Sequence, residues 1–505
     1  METLNLSLPR QHDFTDPTVE RDVRRLRSWL SNLPLMDVVE TVRLVLGALN
    51  SLNEQKLDSR LRFECLEAYR ATAQRLFQTL DPLSLRQLAL SKTRRLEAIK
   101  GVARVFQSLA GGYKLVVASQ FPQAGVAPGA LLGPAINRAL EQLVYSILDC
   151  YRFYREVPPE LTAETHELYL LARQHGLLDV SLETEAEGRQ PVTTALLFHA
   201  GMLLSLTEPE RLGEGEVSLL FDVLMQHAGN CRVIPGNRWE GSGAGLFVID
   251  LHATGLPVPC ATLTAPVAVR DGCLLDASEA LRAIRAQLDR TPASVRMQSP
   301  EGMLLQRLLP ERSGRERRLD ARRRDARHVD LLPGLANIHD WLQSTGEVPD
   351  LKLRERATSC RVLDSSRQGM KLGWDEGVAG DARVGELLGI VEPSGQRAGL
   401  QLAVIRSVSV LHEGGMETGI EFFPGSAGAV TCDIPGHAGG GSAVQALFMP
   451  ADEEGGYAAT LLVANGFYAR DALLLIQAGG RQLRARTGRR VMETPVFDRF
   501  EFTAV

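Results

Sequence analysis

Arg317-Arg-Leu-Asp-Ala-Arg-Arg-Arg-Asp-Ala-Arg-His-Val329 and Asp364-Ser-Ser-Arg-Gln-Gly369 are the two stretches that decide how this chain reads. The first belongs to a run from Glu311 to Val329 with eight arginines: Arg312, Arg315, Arg317, Arg318, Arg322, Arg323, Arg324 and Arg327. It contains Arg-x-x-x-Arg at Arg323 and Arg327. The second is a polar turn of the form Asp-x-Ser-x-x-Gly. A charge run alone reads as a solvated linker or as a nucleic-acid contact. The residues downstream argue against both. Strand-like segments at Leu335–Leu342, Thr358–Leu363, Gly369–Trp374, Val384–Val391, Gly399–Val410 and Glu417–Phe423 have glycine-bounded turns and suggest a small antiparallel barrel.

Upstream the texture is helical. From Val19 to about Leu206, apolar residues recur at three- and four-residue steps, as in Leu96, Ile99, Val102, Phe106 and Leu109. Asp81-Pro82 reads as a helix start and Gly111 as a helix stop. Thr162–Gly176 and Thr193–Leu206 read as an antiparallel pair. Residues 1 to about 20 are polar and read as a loose arm. Residues 207–310 form a small mixed module, with a buried strand at Ala244–Leu251 and an amphipathic helix at Asp276–Asp289. Downstream, Gly425–Gly441 reads as a glycine-rich linker or long hairpin. Short strands come next at Ala443–Met449, Tyr457–Ala464, Ala472–Gln477, Gln482–Arg486 and Val496–Phe502. Arg470, Arg481, Arg484, Arg486, Arg489 and Arg490 there read as a solvated strand face, with a second basic contact surface as the alternative.

The expected architecture is therefore multidomain α plus β. It comprises an all-α helical-hairpin array (1–206), the mixed module (207–310), an antiparallel β-barrel with its arginine arm (311–425), and a β module or barrel extension (426–505). At 505 residues the length accommodates about three or four domains. A net charge of -5 makes any basic function local. Seven scattered cysteines, with no Cys-x-x-Cys, favour reduced thiols and a cytoplasmic location. No metal-ligand spacing, membrane span, signal peptide or catalytic constellation is legible. No enzyme, metal or cofactor is expected.

Arg323-x-x-x-Arg327-His-Val, Asp364-x-Ser366-x-x-Gly369, Gly385-Glu-Leu-Leu-Gly-Ile, Leu402-Ala-Val-Ile-Arg406 and Thr418-Gly-Ile-Glu-Phe422 succeed one another in an order that resembles a PilZ domain, over about residues 311–425. Arg318 and Arg322 fit the same spacing, but His328-Val329 leads from Arg327 straight into the first strand, as in that family. The resemblance implies a receptor for cyclic di-GMP that controls motility, pili or exopolysaccharide. Its ligand residues would be Arg323, Arg327, Asp364, Ser366 and Gly369, with Arg322, Arg324 and Arg406 as secondary contacts.

The residue types suit that ligand. Guanidinium pairs bidentately with phosphate oxygens or guanine O6/N7 and stacks on bases. Asp364 can accept from guanine N1 and N2. Ser366 can add a hydrogen bond, and Gly369 allows close approach and an unusual φ. The arm is expected to be mobile until ligand orders it, and the helical region to bind a protein partner. The competing reading is an interaction scaffold with a degenerate barrel, whose arginine arm holds an acidic protein or RNA.

Overall fold

The computed structural model describes residues 6–13, 16–121, 128–182, 191–235, 244–260, 273–292, 299–309, 323–324, 327–344, 355–375, 382–391, 400–411, 415–433, 443–451 and 458–505. The chain divides into two compact units, Met1–Pro209 with Gly215–Glu316, and Glu210–Glu214 with Arg317–Val505.

The first unit is mainly helical. Its elements are α1 (Val23–Ser31), α2 (Val38–Glu54), α3 (Ser59–Thr79), α4 (Pro82–Gln87), α5 (Lys92–Gln120), α6 (Leu132–Arg152), α7 (Pro159–Gln174), α8 (Thr194–Ser205), α9 (Glu216–His227), α10 (Ser278–Asp289) and α11 (Pro300–Leu308). A small antiparallel sheet of β1 (Arg232–Pro235), β2 (Leu246–Ile249), β3 (Val258–Pro259) and β4 (Cys273–Asp276) runs in the order β1-β4-β2-β3. Side-chain caps set several helix starts. Asp81 accepts from the Leu83 amide ahead of Pro82, and Thr193 accepts from the Leu196 amide. Gly111 does not end its helix, because α5 runs on to Gln120. A Cβ at Gly112 would come within 2.6 Å of a Leu66 methyl and 2.7 Å of the Asn53 side chain, so the glycine lets α5 approach α2 and α3 closely.

The N-terminal stretch is docked rather than loose. His12 donates its amide to the Glu54 carbonyl at 2.7 Å, and Ser7 donates to Glu164 at 3.0 Å. Glu164 also pairs with the buried Lys114 at 2.8 Å. No disulfide links the seven cysteines, and all are buried. Among the described residues, no helix is long and apolar enough to cross a membrane.

The second unit contains two barrels. The first is built from β5 (Arg323–Arg324), β6 (His328–Pro333), α12 (Leu335–Gln343), β7 (Thr358–Ser365), β8 (Gly369–Trp374), β9 (Leu387–Val391), β10 (Gln401–Val410) and β11 (Met416–Phe422). Strand order is β5-β7-β6-β9-β10-β11-β8, and pairing of β7 with β8 closes the ring. The second is a closed barrel in the order β12-β13-β14-β17-β16-β15, from β12 (Gly428–Asp433), β13 (Val444–Met449), β14 (Thr460–Ala464), β15 (Leu473–Ala478), β16 (Arg481–Glu493) and β17 (Phe497–Ala504).

One expectation fails here. Leu335–Leu342 is the helix α12 and not a strand. Gly334, at φ 83°, turns the chain, and Ile338 and Trp341 then bury three residues apart, 0% and 2% exposed. Of the two readings of Gly425–Gly441, the hairpin describes it: β12 occupies Gly428–Asp433 with Val430 and Cys432 inward and pairs antiparallel with β13; residues 434–442 lie outside the described set.

α12 plugs the junction of the barrels. Leu332, Ile338, Trp341, Leu402 and Phe423 share one core with Leu447, Met449, Leu462 and Phe497. Each such side chain contributes about 1.5–3 kcal/mol by leaving water. His339 bonds the Val430 carbonyl through Nε2 at 3.0 Å, and Gln445 donates to Asp340 at 3.1 Å.

Candidate functional site: the arginine strand and the polar turn of the first barrel

The two sequence stretches meet. β5 lies antiparallel to the end of β7, with Arg323 opposite Ser365 and Arg324 opposite Asp364. Three residues on, the Arg327 carbonyl accepts the Val362 amide at 2.8 Å, which anchors the arm again before β6 begins. Arg323, Arg324 and Arg327 are exposed, while Asp364 and Ser366 are half-buried. Residues 310–322, and with them Arg322 and the alternative pair Arg318/Arg322, lie outside the described residues. Arg323–Arg324 and Arg327–Val329 are paired with β7, because a backbone ladder satisfies their amides whatever the side chains do.

Past Asp364 the chain turns. Ser366 donates its amide to the Gly369 carbonyl at 2.8 Å and its hydroxyl to the same oxygen at 3.2 Å. That hydroxyl still has lone pairs with which to accept. Gly369 is buried, and its φ is not positive, contrary to the expectation of an unusual φ. The glycine is required for a different reason. A Cβ there would stand 2.0 Å from the Ile420 carbonyl oxygen, so β8 and β11 can close together only over a bare backbone. Gly369 faces Glu421 in register.

Arg406 sits at the irregularity between Ile405 and Ser407 in the β10–β11 ladder and pairs with Glu421 at 2.6 Å. Two contributors escaped the sequence reading. Lys371 stands opposite Asp364 in register and pairs with Glu417 at 2.5 Å. Glu421 neutralises Arg406 beside the turn. Strand alternation after Gly369 was the available signal for Lys371. Cross-strand pairing, which revealed Glu421, has no local signature.

Arg323, Arg324, Asp364, Ser366, Gly369, Lys371 and Arg406 thus converge on one end of the barrel. The cluster sets the exposed guanidinium groups of Arg323 and Arg324 beside the Asp364 carboxylate and the Ser366 hydroxyl, with Lys371 and Arg406 paired to Glu417 and Glu421. Such a set suits an anionic ligand that also presents donors to a carboxylate.

Comparison with known proteins places the domains. Residues 24–236 match the model "Cyclic-di-GMP receptor FimW, N-terminal domain", and residues 432–505 match "FimW C-terminal beta-barrel domain". Residues 342–428 match "Cyclic-di-GMP receptor FimW, middle PilZ domain". Residues 342–428 are thus a PilZ domain. The middle match takes in the Asp364–Gly369 turn and ends at Gly428, the first residue of β12; the arginine arm precedes it. The chain is also 22% identical to the cyclic-di-GMP receptor FimW of Pseudomonas aeruginosa, over 99% of this chain and 93% of that protein. No solved structure matches. The PilZ domain, the helical region before it and the barrel after it stand in the same order in the matched models and in this fold. None of the matched families is named for an enzyme.

Proposed function

We propose that this protein is a cyclic di-GMP receptor and that the ligand lies across the β5–β7 end of the first barrel. Arg323 and Arg327 take the phosphates and guanine acceptor edges. Asp364 takes guanine N1 and N2, Ser366 adds a hydrogen bond, and Gly369 keeps the turn flat against β11. Arg322, Arg324 and Arg406 are secondary contacts. The observation that carries this reading is the register of Arg323–Arg324 on Ser365–Asp364, which brings two stretches far apart in sequence to one end of a barrel. The matched relative's name points to the same ligand. Ligand state then passes through the arm to a protein partner held by the helical region.

Calorimetric titration tests the ligand. Cyclic di-GMP should bind in the micromolar range or tighter, on the order of 8 kcal/mol, and cyclic di-AMP should not compete. Absence of heat at about 100 μM ligand, roughly 5 to 6 kcal/mol, would remove the receptor reading. Arg327→Ala should weaken binding by about 1.5–3 kcal/mol, the worth of a charge-assisted hydrogen bond. Arg312→Ala should leave it unchanged; equal binding by both variants means the arm acts as diffuse charge.

A further inference from the structure

The arginines of the second barrel fall into two groups along one strand. Toward the end of β16 they are neutralised: Arg489 pairs with Glu501 at 2.9 Å, and Arg490 with Glu493 at 2.6 Å and Asp498 at 3.4 Å. At its start they are not. Arg481, Arg484 and Arg486 are exposed, and among the described residues none has a carboxylate within ion-pairing distance. Arg486 donates to the Asp471 backbone carbonyl at 3.3 Å, which leaves its charge uncompensated.

The same face carries apolar surface. Leu473 lies opposite Arg486 and Leu475 opposite Arg484. Leu473 is 51% exposed and Leu475 half-buried. Asp433, opposite Leu475 on β12, is the one acid that the ladder places beside this stripe. The stripe leads into a pocket of about 250 Å³ at the β15–β16 turn. Gln343, Thr431, Gln477, Gln482, Arg481 and the Gly479–Gly480 backbone line it, and no carboxylate does.

We infer that this face of the second barrel, from the Gly479–Gly480 turn along Arg484 and Arg486, docks an acidic, leucine-bearing extended segment of a protein partner. Three uncompensated guanidinium groups select carboxylates. Leu473 and Leu475, opposite Arg486 and Arg484, match apolar side chains at alternate positions of an extended peptide. Side-chain amides, which both donate and accept, suit a peptide backbone running into the pocket. The register neighbours on this face include no aromatic ring on which a nucleobase would stack, which disfavours single-stranded RNA.

The test uses the full chain and a fluorescein-labelled peptide, Glu-Leu-Glu-Val-Glu-Leu-Glu-Val, monitored by anisotropy. The double variant Arg484→Gln/Arg486→Gln should bind about tenfold more weakly than wild type. Arg489→Gln, on the neutralised half of the same strand, should bind like wild type. Hydrogen exchange should show new protection over 473–486 when peptide is added, and this readout stands without any variant. Equal binding by all three proteins, or no protection over 473–486, overturns the proposal. So does an oligouridylate or a phosphatidylserine vesicle that binds with the arginine dependence expected of the peptide while the peptide itself does not bind.

Discussion

A set of arginines in the helical unit and a set in the barrel unit are used in opposite ways. In the helical unit Arg62, Arg70 and Arg138 are turned inward. Arg62 is buried and donates to the carbonyls of Leu52 and Gln55, closing the C-terminal end of α2, and burial lowers its pKa to about 10. Arg138 bridges Glu67 at 3.1 Å and Glu141 at 3.4 Å, and Arg70 reaches the same Glu141 at 3.0 Å. In the barrels Arg323, Arg324, Arg481 and Arg484 are exposed around apolar cores. A guanidinium enclosed by partners fixes how helices pack. One left outside keeps its donors for something else.

The largest expected effect breaks the inward arrangement. Glu141→Ala removes the carboxylate shared by Arg138 and Arg70, leaves Arg138 with Glu67, and weakens the pairing of two buried cations, at a cost of about 3 kcal/mol. Arg324→Ala should change stability by less than about 0.5 kcal/mol. Denaturant unfolding monitored by far-UV circular dichroism reads both. If the two variants lose equal stability, the contrast between the units is wrong.

Acid should separate the units next. His199 is buried on α8 with Nδ1 on the Ala228 carbonyl, and burial lowers its pKa to about 4; burial lowers that of His166 also. An unfolded histidine titrates near 6.5, so between about 6.5 and 4 the unfolded chain binds the extra proton. The helical unit therefore has this stability in full above about pH 6.5. It loses about 3 kcal/mol of it through His199 as pH falls toward 4. Asp149, whose carboxyl burial pushes up, works in the opposite sense at the acid end. Unfolding midpoints against pH should fall for the helical transition and flatten in His199→Gln. A midpoint independent of pH over that window counts against the buried neutral histidine.

Much of this was legible in the sequence, for identifiable reasons. Helical periodicity located α5 and α8 because their apolar residues recur at the helical step. Gly111 misled because glycine serves both as a helix stop and as a site of close helix approach, and only contacts distant in sequence, such as those of Gly112 with Asn53 and Leu66, distinguish the two. Leu335, Ile338, Trp341 and Leu342 have helical spacing, but their setting among strands suggested another strand. Asp364, Ser366 and Gly369 lie close together in one turn, and so they were readable together. The register of Arg324 on Asp364, the pairing of Arg406 with Glu421 and the 2.0 Å approach of Gly369 to Ile420 arise from long-range strand pairing, which no local pattern encodes.

A smaller effect tests the turn. Gly369→Ala forces a methyl toward the Ile420 carbonyl, which is backbone and can yield only by moving β11. Overpacking of this kind costs about 1–3 kcal/mol. Ligand affinity should fall along with stability, whereas Gly425→Ala, which meets nothing within 4 Å although its φ is 78°, should affect stability alone. Paired thermal melts and titrations would show it. Unchanged affinity in Gly369→Ala would mean that the turn does not touch ligand.

The smallest effect concerns Arg406, because it stands between the two uses of arginine. It lies by the candidate site yet already holds Glu421 at 2.6 Å, and both side chains remain substantially exposed, 38% and 53%. A pair this exposed is worth about 0–1 kcal/mol, so Arg406→Gln should barely change stability. Its effect on binding should also be slight, since the guanidinium must release Glu421 before it can meet a phosphate. Removing the competitor should act the other way. Glu421→Gln frees Arg406 and deletes a negative charge opposite Gly369, so cyclic di-GMP should bind a few-fold more tightly, less than about 1 kcal/mol. The gain should shrink as salt is raised, because an exposed charge is screened over about 8–10 Å at physiological ionic strength. Calorimetry of wild type, Arg406→Gln, Glu421→Gln and the double variant at two salt concentrations closes the cycle. If Glu421→Gln gains affinity equally with and without Arg406, the carboxylate repels ligand directly, and Arg406 belongs with the inward, structural arginines.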